Sequence, residues 1–119
     1  MLVIRVYGLP NRAFDLTQVV RDLKTAVSEM KGLEQKPESI NIFFPLDMYK
    51  ARRGEEIVVY VEDYFMGPKC TEEVRKELAQ LVARVLAEFA KAELKRPNRI
   101  EVFVKVLNPD DGYWCVSLS

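Results

Sequence analysis

Glu56-Ile57-Val58-Val59-Tyr60-Val61-Glu62-Asp63-Tyr64, with the two segments that follow it, decides the fold. Residues 56–64 are rich in β-branched and aromatic side chains and alternate with a period of two, as a strand with two different faces does. Met66-Gly67-Pro68 ends that strand. Thr71 then offers a side-chain oxygen to the first turn of a long helix, and Glu72 and Glu73 sit where the helix dipole favours negative charge. Val74, Leu78, Leu81, Val82, Val85, Leu86 and Phe89 recur at helical spacing, so the helix is predicted to run to about Lys95, where Arg96-Pro97-Asn98 interrupts it. Arg99 to Leu107 reads as another strand. Strand, helix and strand in this order make a βαβ unit.

The chain before residue 56 repeats the plan. Leu2-Val3-Ile4-Arg5-Val6-Tyr7 alternates as a strand, and Gly8-Leu9-Pro10-Asn11 breaks it. Asp15 opens a helix, with Gln18 placed to complete a capping box and Phe14 and Val19 to form a hydrophobic staple. Leu16, Val19, Val20, Leu23, Val27 and Met30 follow helical spacing, and Gly32 is placed to end the helix. Pro37 lies in the turn before a strand over Ser39–Phe44, which Pro45 stops. A polar stretch, Leu46 to Glu55, joins the halves. After the last strand, Asn108-Pro109-Asp110-Asp111-Gly112 is a turn signal, and residues 113–118 alternate as a short fifth strand. The prediction is one α+β domain over 1–119, with halves 2–44 and 56–107 and a C-terminal tail 108–119. It is a β-α-β-β-α-β two-layer sandwich with a four-stranded mixed sheet and both helices on one face.

Bulk composition narrows the function classes. The chain has 119 residues, 49% apolar and 30% charged, which suits one globular domain. Eighteen basic and eighteen acidic residues cancel, so the electrostatic footprint of phosphate-backbone binding is missing and no nucleic-acid partner is expected. No apolar run approaches the roughly 20 residues that span a bilayer, so no membrane partner is expected either. Met1-Leu2-Val3-Ile4-Arg5 lacks the basic start and cleavage site of a signal peptide. Two cysteines, Cys70 and Cys115, make no disulfide framework, and a reducing cytoplasm is the simplest setting. Histidine is absent, which removes Ser-His and Cys-His nucleophile pairs and most zinc sites. No glycine-rich phosphate loop, EF-hand or CxxC spacing is present, so no metal and no cofactor is expected.

Alternation splits each strand into two faces. Leu2, Ile4, Val6, Ile40, Ile42, Phe44, Ile57, Val59, Val61, Ile100, Val102, Val104 and Val106 form an apolar face that must take both helices. The other face mixes Tyr7, Phe43, Tyr60, Tyr64 and Phe103 with Arg5, Glu62, Glu101 and Lys105. Two helices cover one face only, so the second is open to water or covered by another chain. Large rings at this density favour self-association. The alternative is that the four charges pair across strands and the rings are merely scattered among them.

This element order, a first strand starting at residue 2, and a turn plus tail after the last strand resemble the tautomerase superfamily, which includes macrophage migration inhibitory factor. Leu2-Val3-Ile4-Arg5-Val6-Tyr7-Gly8-Leu9 is similar to the opening of uncharacterised bacterial proteins of that superfamily. The resemblance implies a pseudo-two-fold fold and a homotrimer whose sheets surround a central barrel. It implies active sites near subunit interfaces, built around an N-terminal proline that moves a proton between carbon and oxygen. Leu2 stands at the matching position here, and a bulky second residue implies that Met1 is retained. The general base is thus missing, which puts conventional keto–enol tautomerase activity in doubt. A retained α-amine at Met1, with a pKa of roughly 7.7–8.0, is the remaining candidate base.

Other candidates stand beside simpler readings. Arg52 and Arg53, with Tyr49 and Lys50, form the compact basic cluster, and a guanidinium suits a small carboxylate ligand; a solvated loop is the simpler account of it. Tyr113 and Trp114 are candidate pocket walls. Cys70 before a helix has some thiolate character by position, while Cys115 reads as packing. A ferredoxin-like module that binds a small molecule or oligomerises without enzymatic activity has the same linear order, and only strand order separates the two.

Overall fold

A computed structural model describes residues 2–9, 15–45, 56–64, 71–94, 99–107 and 116–118. The elements are β1 (Leu2–Tyr7), α1 (Thr17–Ser28), β2 (Ile40–Phe43), β3 (Glu56–Tyr64), α2 (Glu72–Glu93) and β4 (Arg99–Leu107), with one 3-10 turn at Pro37–Ser39. The sheet order is β2-β1-β3-β4. The crossover helices make β1–β2 and β3–β4 parallel, and the two halves meet through the antiparallel pair β1–β3. A ferredoxin-like sheet needs a strand between β1 and β2. Leu2 lies directly opposite Ile40 and Ile4 opposite Ile42, so that alternative is set aside.

The predicted apolar face is the core. Leu2, Ile4, Val6, Ile40, Ile57, Val59 and Val61 are buried beneath Val19, Leu23 and Val27 of α1 and Leu78, Val82, Leu86 and Ala90 of α2. Ile42, Phe44, Ile100, Val102 and Val104 close its margins. Both helices therefore occupy one side of the sheet.

Several element ends differ from the prediction for local reasons. α1 starts at Thr17, with Leu16 in the cap position and no side-chain cap hydrogen bond, so the expected Asp15 cap gives way to a turn just before the helix, in which Asp15 Oδ1 accepts from the Thr17 N–H at 3.0 Å. That hydrogen bond holds the Asp15 carboxyl below its usual pKa, so the turn weakens as the pH falls through the lowered value. The expected capping box is not among the hydrogen bonds of the described residues; the Gln18 side chain turns along the helix instead, its Nε2 donating to Asp22 at 2.8 Å. Phe14 of the expected staple lies outside the described residues. The helix ends at Ser28, four residues before Gly32. Gly32 has φ +99° in the turn that follows, against Val74. β2 begins at Ile40, since Pro37 starts a 3-10 turn that takes Ser39. Residues 116–118 carry no strand, and Val116 and Leu118 are exposed. Of the predicted fifth strand, residues 113–115 lie outside the described residues.

Thr71 caps α2 as expected, its Oγ1 accepting from the Val74 N–H at 3.3 Å. Thr71→Ala is expected to cost about 1 kcal/mol and to lower the melting temperature by about 4 °C, measured by thermal denaturation.

Candidate functional site

The open face of the sheet brings Val3, Arg5 and Tyr7 of β1 beside Asn41 and Phe43 of β2, Val58, Tyr60 and Glu62 of β3, and Glu101, Phe103 and Lys105 of β4. Strand register sets these side chains in rows. Arg5 stands opposite Phe43 on one side and Tyr60 on the other, and Tyr60 stands opposite Phe103. The row Phe43–Arg5–Tyr60–Phe103 thus crosses the whole sheet, a span of about 14 Å at the usual strand spacing. Its three rings are 52%, 44% and 51% exposed. Tyr60 and Phe103 stack with centroids 5.6 Å apart, and Tyr7 meets Tyr60 edge-on at 5.8 Å.

The charges on this face are organised around the rings. Arg5 Nη1 donates to Glu62 Oε1, joining β1 to β3 on a diagonal, and both side chains are about one quarter exposed. Glu101 takes its cation from its own strand, Arg99. The expected inter-strand pairing therefore holds for Arg5 and Glu62, while Glu101 pairs along β4. With Arg5 paired to Glu62 and Arg99 to Glu101, the half-exposed rings stand out among the chemistry of this face.

Of the site residues expected from sequence, Met1, Arg52, Arg53, Tyr113 and Trp114 lie outside the described residues, as do Cys70 and Cys115. Leu2 is described, and its side chain is fully buried on the core face. Register relates it to the segments that hold the others. Leu2 is opposite Asp63, and Asp63 is opposite Val106, so β4 delivers the chain to the tail at Leu2's end of the sheet. Glu56, which follows the loop carrying Arg52 and Arg53, begins β3 at the far end. The seven residue steps from Glu56 to Asp63 separate those ends by roughly 23 Å.

Two grooves flank α2. One, of about 430 Å³, lies between α2 and the start of β4 and is lined by Ala83, Arg84, Ala87, Ala90, Lys91, Arg99 and Ile100. The other, of about 250 Å³, faces α1 and carries Asp15, Asp22, Glu88 and Glu93. Neither groove is marked by a motif in the sequence; the small residues Ala83, Ala87 and Ala90, at i, i+4 and i+7 of α2, are the local signal for the first. Among the described residues no group of acidic or cysteine side chains is arranged to hold a metal, and no helix is long and apolar enough to cross a membrane.

No protein-family model and no curated protein sequence matches the chain. Solved structures do. A protein of unknown function from Vibrio cholerae superposes with a TM-score of 0.68 at 16% identity, covering 96% of this chain and 83% of its own. A fused 4-OT described as a symmetric trimer gives 0.63 at 14% identity, with 98% and 94% coverage. Macrophage migration inhibitory factor of Toxoplasma gondii gives 0.61 at 12% identity, with 98% and 97% coverage. The alternation of strands and helices, the strand order and these superpositions agree: the chain has the tautomerase-type α+β fold of macrophage migration inhibitory factor and 4-OT.

Proposed function

We propose that this protein is a cytoplasmic homotrimer of the tautomerase type that binds a small carboxylate at its subunit interfaces and has lost proline-based keto–enol chemistry. The observation that carries the reading is the row Phe43–Arg5–Tyr60–Phe103, an aromatic strip across the one face that the helices leave open. Exposed rings in a continuous strip favour burial against another chain. The fold is that of proteins described as trimers, and sheet-to-sheet contact in a second and third copy of this chain covers the strip.

The chemistry follows from Leu2. Its side chain offers no proton acceptor and is buried in the core, whereas a proton transfer between carbon and oxygen needs a base near the working pH at an accessible site. On this reading the carboxylate site lies between subunits. Leu2 and the end of β4 share one end of the sheet, while Glu56, which follows the loop with Arg52 and Arg53 in the chain, begins β3 at the other. Arg52 and Arg53 of one subunit anchor the carboxylate beside Leu2, Tyr113 and Trp114 of the next, with the guanidinium fork matched to two oxygens.

Native electrospray mass spectrometry tests the assembly: the expected species has three times the 13.8 kDa mass of the chain, and a monomer at micromolar concentration overturns it. Pyruvate titrated calorimetrically tests the ligand site. Arg52→Ala with Arg53→Ala is expected to weaken pyruvate at least about tenfold, as loss of a charge-assisted pair does. Unchanged affinity removes both arginines from the site.

A further inference from the structure

The groove between α2 and β4 has a composition that the fold does not require. Its floor is Ala83, Ala87, Ala90 and Ile100, and its walls carry Arg84, Lys91 and Arg99 with no carboxylate among the described lining residues. At about 430 Å³ it lies within the range of small-molecule sites, roughly 300–1,000 Å³. Three alanines on the turns of α2 that face β4 leave this hollow unfilled, where larger apolar residues would have closed it.

The charges are unevenly spent. Arg99 pairs with Glu101, and Lys91 lies 3.9 Å from Glu88 in a loose exposed pair. Arg84 has no carboxylate within ion-pair distance among the described residues. Glu88 belongs to the opposite groove, where it joins Asp15, Asp22 and Glu93. In a chain of zero net charge, α2 therefore divides a cationic groove from an anionic one, and a cleft lined by one sign of charge concentrates ligands of the other.

We propose that the α2–β4 groove binds a medium-chain monocarboxylate, its apolar tail on the alanine floor and its carboxylate held by Arg84 and Lys91. An apolar floor alone takes a neutral tail, and three cations alone take any anion; the two together select an amphipathic acid. Register puts the groove at Arg99, opposite Glu56, at the far end of the sheet from Leu2. None of its described lining residues belongs to the interface site, so its test does not depend on that reading.

Sodium octanoate is the probe, titrated into the full-length protein in its native assembly state by calorimetry, with amide shifts followed by NMR. Saturable binding with shifts centred on residues 83–91 and 99–100 is expected. Arg84→Glu with Lys91→Glu is expected to weaken octanoate at least tenfold. Ala87→Leu, which fills the floor, is expected to abolish binding while the circular dichroism spectrum and native mass stay unchanged. Octanol binding as tightly as octanoate, acetate binding as tightly as octanoate, or full affinity retained by Ala87→Leu each overturns the proposal. Should Ala87→Leu fail to fold, the double charge reversal on the exposed surface decides alone.

Discussion

Tyr60→Asp with Phe103→Asp is expected to convert the assembled protein into a monomer that remains folded. The two rings stack across β3 and the edge strand β4 of the open face and are about half exposed in a single chain, so their removal leaves the core untouched. A carboxylate placed in an apolar contact without a partner costs about 3–5 kcal/mol, and each subunit would bring two. The loss is roughly a thousandfold or more in association, enough to leave no trimer at micromolar concentration. Sedimentation velocity reads the mass, and far-UV circular dichroism confirms that helix content is retained. A trimer that survives both aspartates shows that subunits meet elsewhere, and the proposed function falls with it. The octanoate test in the α2–β4 groove would still stand.

Gly8→Ala is expected to destabilise the chain by about 3 kcal/mol, combining a left-handed backbone cost of about 1–2 kcal/mol with a forced backbone shift. Gly8 has φ +94°, and a Cβ there would overlap the Glu56 carbonyl oxygen. Glu56 opens β3 and is held in register opposite Arg99 of β4, so the carbonyl has nowhere to retreat. Gly32→Ala is the informative comparison. Its φ of +99° carries the same backbone cost, but its new Cβ meets the Val74 Cγ2 at 3.0 Å, a side chain able to turn aside. Urea titration should therefore rank Gly8→Ala well below Gly32→Ala in stability. Equal losses would mean that the Glu56 carbonyl yields and that the backbone angle alone matters.

How much of this was legible in the chain depended on whether the signal was local. β3 and β4 end where their alternation ends, and Thr71 caps α2 as its hydroxyl and position suggest. Asp15 read as a cap, but it closes a turn onto Thr17 one residue before the helix cap at Leu16, and Gln18 bonds Asp22 within the helix. Which strand neighbours which is not encoded in periodicity, since the same alternation serves two sheet orders. The direct pairing of β1 with β2 settled that. The mixed face was legible as a list of rings and charges, yet the row Phe43–Arg5–Tyr60–Phe103 needed the register of all four strands. Leu2 marked a missing proline by resemblance; its burial required the helices to be in place. The α2–β4 groove exists only where two segments meet in space, so no single window of sequence contains it.

The antiparallel joint between β1 and β3 has a practical consequence. Each half brings one inner and one outer strand and a single helix, and residues 46–55 are the covalent link between them. A chain opened there becomes two fragments of like architecture, each presenting the raw edge of an inner strand and half of an apolar layer. The complement offers each fragment the antiparallel partner strand that it has in the intact chain. The molecule is thus built as a natural split pair, in which fluorescence or enzyme reporters fused at the cut would read out reunion of the halves.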